Sequence, residues 1–134
     1  MHHLRVTVLL FLAACASHTP ASNSLPDASQ GPAYDEKAVD QPVSPITMPK
    51  PVYPRAFQIA GQCGYVDLRY VVGIDGRAEP GTIVAVYATH PDFAKSALDV
   101  VRASRFNPAR LAGKSVRQRV EQRIEFTVMG GGSC

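Results

Sequence analysis

At 134 residues, with 46% hydrophobic and 19% charged side chains, the chain has room for one small domain and a polar tail. Its formal net charge of +3 comes from Lys and Arg interleaved with Asp and Glu, which argues against a dedicated nucleic-acid binder with its charge gathered in one stripe. Eleven prolines, most of them in the first half, mark a linker ahead of whatever folds.

The first element is an export signal. His2, His3 and Arg5 form a polar, basic start, and Val6 to Leu12 form an apolar run well short of the roughly 20 residues a spanning helix needs. The run ends in Leu12-Ala13-Ala14-Cys15, which resembles the lipobox of bacterial lipoproteins. That resemblance implies cleavage after residue 14 and a diacylglycerol on Cys15. Ala16 stands where an Asp would resemble an inner-membrane retention signal, so the resemblance implies an outer-membrane anchor facing the periplasm. Residues 15–48 are rich in Pro, Ser, Ala and Asp, with no sustained periodicity and few apolar groups to bury, and are expected as a disordered tether. One stretch within it, residues 38–48 (AVDQPVSPITM), could fold back as a strand.

The folded domain is expected over 49–134. Prolines 49, 51 and 54 lead into a short helix over Arg55 to Ala60, ended by Gly61. Residues 64–72 alternate strictly, Val66, Leu68, Tyr70 and Val72 against Asp67 and Arg69, as a half-buried strand does. Asp75-Gly76 signals a hairpin, with Ile83 to Ala88 as the return strand. Pro91 and Asp92 suit the start of a helix, with Asp92 at the positive end of its dipole, and Phe93, Ala94, Ala97, Leu98 and Val101 form its apolar stripe. The stretch carrying that stripe continues to Phe106, and the following NPARLAGK reads as a loop. In the final strand, residues 115–128, Val116, Val120, Ile124, Phe126 and Val128 share one face, and Arg117, Arg119, Glu121, Arg123, Glu125 and Thr127 the other.

The order β-β-α-β makes the second and third strands parallel through a right-handed crossover, leaving a gap that the first strand fills antiparallel to both. The fold class expected is α+β, a three-stranded antiparallel sheet of order 2-1-3, with helices on one face and the third strand at an edge.

The chain carries Pro51-x-Tyr53-Pro54-x-Ala56, Gly64-Tyr65-Val66, Asp75-Gly76-Arg77, Arg105-Phe106-x-Pro108-Ala109, Gly113-Lys114-x-Val116 and Ile124-x-Phe126 in that order. Together these motifs resemble the C-terminal domain of the TonB family. The family's pattern has tryptophan where this chain has Arg105. The resemblance implies a binding module that pairs its last strand with an extended segment of an outer-membrane TonB-dependent transporter by β-augmentation. On this chain the edge residues would be Arg117, Arg119, Val120, Glu121, Arg123, Glu125 and Thr127. Their alternating charges serve partner selection, protection against edge-to-edge aggregation, or both. Family transducers carry a membrane-spanning helix coupled to a proton-driven motor, and a long Pro-rich rod. The short run before Cys15 provides neither, so the resemblance extends to partner binding and not to motor coupling. The alternative is a structural envelope protein in the manner of TolA-type adaptors, bridging periplasmic proteins or forming a homodimer through the same edge.

With Cys15 acylated, Cys63 and Cys134 remain in an oxidising compartment. In the 2-1-3 order the start of strand one lies beside the end of strand three, so a Cys63–Cys134 disulfide is expected; free thiols or an intermolecular bridge through Cys134 are the alternatives. The sequence has no nucleophile elbow, phosphate-binding glycine loop or metal-ligand cluster, and His90 reads as a capping or solvated side chain. The expectation is therefore no enzyme, no metal, no cofactor and no nucleic acid.

Overall fold

The computed structural model describes residues 31–128. Seven strands and two α-helices follow one another: β1 (Ala33–Tyr34), β2 (Ser44–Thr47), α1 (Arg55–Ile59), β3 (Gly64–Val72), β4 (Val84–Ala88), α2 (Pro91–Ala103), β5 (Arg105–Asn107), β6 (Ala109–Leu111) and β7 (Lys114–Phe126).

β3 is the spine. It is antiparallel to β7 over nine residue pairs, from Gly64↔Phe126 to Val72↔Gln118, and antiparallel to β4 on its other side. The alternation of β3 settles its orientation. Val66, Leu68, Tyr70 and Val72 are buried, and α2 covers them with Phe93, Ala97, Val100 and Val101. β7 adds Ile124 and Phe126 to the same core, with Val120 packed against it. Phe93 stacks on Phe126 with ring centroids 4.5 Å apart, and Tyr53 meets both rings edge-on. These aromatic contacts seal one end of the core. α2 starts as the sequence implied: Pro91 opens it, and the His90 ring nitrogen accepts the Asp92 N–H as its N-cap.

The strands expected as second, first and third lie side by side as β4-β3-β7, but the sheet is not three-stranded. β1 pairs with β7 in parallel, Ala33↔Arg117 and Tyr34↔Gln118, and β6 pairs with the start of β7. β2 and β5 form a separate two-stranded antiparallel sheet. The expectation of a bare third-strand edge is corrected accordingly: its first residues are already paired.

Three further expectations are corrected. NPARLAGK contains β6, joined to β7 through Ala112 and Gly113, both at positive φ (50° and 75°). Two such residues match the hairpin turn whose twist suits antiparallel strands. The helix ends at Ala103, because Pro108 and the extended backbone at Ser104 favour a strand for residues 105–107, whose Phe106 is needed in the core. Residues 31–48 are not a free tether. Gln41 and Arg110 exchange backbone hydrogen bonds, the Asp40 carboxylate accepts the Ala112 N–H at 2.8 Å, and β2 lies along β5. Residues 38–48 fold back onto β5 and the β6 hairpin and not as a strand on the outer edge of β7, where residues 33 and 34 pair instead. Residues 15–30 lie outside the described residues.

Candidate partner-binding edge

β7 has two sides. Along one it is paired with β3 from Gln118 to Phe126; along the other, β1 covers Arg117 and Gln118 and then stops. Among the described residues no strand pairs with that outer side from Arg119 to Phe126. The edge expected from the sequence is thus present as an eight-residue window rather than the full strand.

Even-numbered β7 residues point into the domain and odd-numbered ones away, so the seven candidate residues fall into two sets. Val120 packs inward on the core. Arg117 is pinned where β1 crosses: it forms a two-pronged ion pair with Glu79, both distances 2.7 Å, and donates to the Gly31 carbonyl. Its side chain is only 15% exposed, so it is a structural clamp and not an open contact. Arg119 bonds Asp35 at 2.8 Å, just after β1 ends. The guanidinium holds the Asp35 carboxyl below the usual carboxylate range, through the hydrogen bond first and its charge second, and Asp35 in turn raises Arg119.

The remaining outward residues mostly pair across to β3. Glu121 meets Arg69 at 3.0 Å. Arg123 makes two bonds to Asp67 (2.7 and 2.9 Å) and lies 4.0 Å over the Tyr65 ring, which itself stacks on Tyr87. The same hydrogen bonds lower Asp67 and raise Arg123. Glu125 and Thr127 are exposed, and neither carries a salt bridge or side-chain hydrogen bond among the described residues.

A second segment walls the window from the inner side. The Val43 N–H bonds the buried Gln118 side chain at 2.9 Å, the Gln122 amide reaches Met48 sulfur at 3.3 Å, and the Tyr53 ring abuts Phe126. The chain from 43 to 53 therefore follows β7 from 118 to 126. It is held to α2 by the Ser96 hydroxyl donating to the Val52 carbonyl at 2.6 Å. Sequence reasoning missed Asp35, Met48, Glu79 and Gln118 as parts of this site. None carries a local signal, since Asp35 lies 84 positions from its partner. The opposite sheet edge, β4, exposes Val84, Val86 and Tyr87.

Cys63 lies just ahead of β3, half-buried. Cys15 and Cys134, expected as the lipidation site and the disulfide partner, lie outside the described residues. Among the described residues, no cluster of three or more His, Cys, Asp or Glu could hold a metal ion, and no helix is long and apolar enough to cross a membrane.

Comparison with known proteins bears on the family and the fold. The chain is 29% identical over 114 residues to the protein TonB of Pseudomonas aeruginosa, a match spanning 82% of this chain and 32% of that protein. The solution NMR structure of the Pseudomonas aeruginosa TonB C-terminal domain superposes with a TM-score of 0.58 at 26% identity, covering 69% of this chain and 93% of that one. Residues 49–128 match the family model of the Gram-negative bacterial TonB protein C-terminal region, nearly the whole of the core built on β3, α2 and β7. The chain belongs to the TonB C-terminal family.

Proposed function

We propose that this protein is a periplasm-facing lipoprotein that binds an extended segment of an outer-membrane TonB-dependent transporter by strand addition to β7, without a motor coupling of its own. The observation that carries this reading is the outer side of β7 between Arg119 and Phe126, where an ordered strand offers backbone N–H and C=O groups with no strand beside them among the described residues. Such groups recruit an extended peptide because main-chain hydrogen bonds supply affinity for almost any sequence, while flanking side chains select among sequences. The outward ion pairs Arg69–Glu121 and Asp67–Arg123 hold the strand rigid, and they also discourage indiscriminate pairing between copies. Family membership supports transport as the process served.

The anchor is Cys15, by the lipobox pattern at the end of the apolar run. A bridge between Cys63 and Cys134 belongs to the same proposal, supported by the disulfide-bonded state of Cys63. The bridge would tie the chain beyond β7 to the start of β3, whose first residue is already opposite Phe126.

The test is photo-crosslinking in cells from Arg123, with mass spectrometry of the products and a control probe at Val84 on the β4 edge. Capture of a transporter's N-terminal segment from position 123 and not from 84 is the expected result. Capture of a second copy of the chain, or of envelope scaffold proteins, replaces the transporter reading with the structural one.

A further inference from the structure

Two strands cannot hold the same backbone groups. β1 occupies the outer side of β7 at Arg117 and Gln118, and the chain then leaves the edge at Asp35, whose carboxylate is bonded to Arg119. The Gly31 carbonyl accepts from Arg117, so the short strand is held at both of its ends. A two-residue strand has little pairing of its own; these charge-assisted bonds are what keep it in place. Immediately beyond Asp35 the 3-10 turn at Glu36–Ala38 stands against β7, making a cleft with Lys37, Val43, Arg119 and Val120.

Resting on the strand-addition reading, we infer that β1 and Asp35 form an end-stop that sets the register of the bound segment. A strand entering the window slides along β7 until its end meets Tyr34 and Asp35, and it then occupies the eight positions opposite 119–126. Without a stop, a flat edge fixes register weakly. Slippage on a pleated edge proceeds in steps of two, because a one-residue slip would turn every side chain to the other face. Asp35 is therefore a specificity-determining residue: it selects one alignment among those that differ by two.

The stop also gives the ligand a chemistry. Arg119, Glu121 and Arg123 each form a salt bridge, whereas Glu125 forms none among the described residues and interacts only at longer range with the Arg123 charge two positions along the same face. Cross-strand neighbours of opposite charge attract, and like charges repel. The segment that fits is extended, about eight residues long, with a Lys or Arg placed opposite Glu125 once its end rests on the stop. Its inward side chains meet Gln122 and the flexible Met48, which tolerate apolar groups of varied shape.

The experiment maps register in the full-length, membrane-anchored protein. A photo-crosslinking residue at Glu121 is used in the otherwise native chain and in chains also carrying Asp35→Lys or the milder Asp35→Asn. The residue of the captured segment that links to position 121 is read by mass spectrometry. Asp35 is 71% exposed, so neither substitution disturbs the core, and a thermal melt checks this. In the native chain one residue of the segment links, and the residue lying opposite Glu125 is basic. In Asp35→Lys a second product appears, displaced by two residues toward Arg117, rising about two- to five-fold in share, as expected for loss of an exposed ion pair. A single unchanged register in Asp35→Lys, or mixed registers already in the native chain, overturns the end-stop while leaving strand addition standing. An acidic residue opposite Glu125 overturns the assigned ligand chemistry. No segment captured from position 121 in any chain overturns strand addition itself, and the end-stop with it.

Discussion

Gly76 answers to two independent constraints. Its φ is 73°, a region that penalises a side chain, and a Cβ built there would lie 2.1 Å from the Phe106 carbonyl oxygen. That oxygen cannot retreat cheaply, because the Phe106 N–H donates to the Gly76 carbonyl at 2.9 Å and its ring packs against Tyr70. Gly76→Ala is expected to lower stability by about 2 kcal/mol or more. Gly81→Ala, with open space around it and no positive φ, is expected to change it by less than about 0.5 kcal/mol. Urea midpoints of the two variants test the contrast. Carboxylates add a pH dependence. Asp35 and Asp67 are lowered in the folded protein by their arginines, so the unfolded chain binds more protons as pH falls past the ordinary carboxylate value of about 3.9. Their stabilisation is complete above that value and is lost as pH drops through the lowered ones, and Asp67→Asn flattens this acid limb in denaturation titrations. Burial raises Tyr70 from 10.0 to about 12. The folded state keeps a proton that the unfolded state has released, so stability falls with rising pH between about 10 and 12, and Tyr70→Phe removes that slope.

At the scale of elements, the regular pieces were legible and the irregular ones were not. β3, α2 and β7 each repeat a pattern at the period of 2 or 3.6 that burial on one face imposes, β4 is a short apolar run placed by the hairpin signal before it, and all four stand where the sequence implied. β1, β2, β5 and β6 are two to four residues long, too short to show a period at all. Their positions come from partners far along the chain: Gln41 with Arg110, Asp35 with Arg119, Pro45 with Phe106. Only half of the site was readable for the same reason. The β-β-α-β order announced an edge on the last strand, but nothing in it announced that residues 33 and 34 would cover its start or that Met48 would flank it. Residues 31–48 are thereby part of the folded unit although the family match begins at 49. Deleting them removes the Val43 and Asp40 contacts and uncovers the polar side chain of Gln118, which is only 3% exposed. The expected cost is about 1–3 kcal/mol, a fall in Tm on the order of 5–15 °C, measurable by circular dichroism against the full chain.

For the whole molecule, what matters is where the domain is held and which way its edge faces. Gly31, the first described residue, is hydrogen-bonded beside the start of β7, at the closed end of the edge. About 15 residues of chain reach at most roughly 50 Å, so a lipid on Cys15 would hold the domain within that distance of a membrane. Cys15→Ser is expected to shift the protein from the membrane to the soluble periplasmic fraction, with loss of label from radioactive palmitate. The sequence by itself determined the family, the core-facing residues and the charged face of β7, because these depend on local composition and on short repeating periods. Only the tertiary structure decided that the edge is partly closed, where the closure stops, and which side chains wall the rest. Those features are contacts between residues tens of positions apart, and a linear pattern does not encode which distant backbone will supply the missing hydrogen bonds.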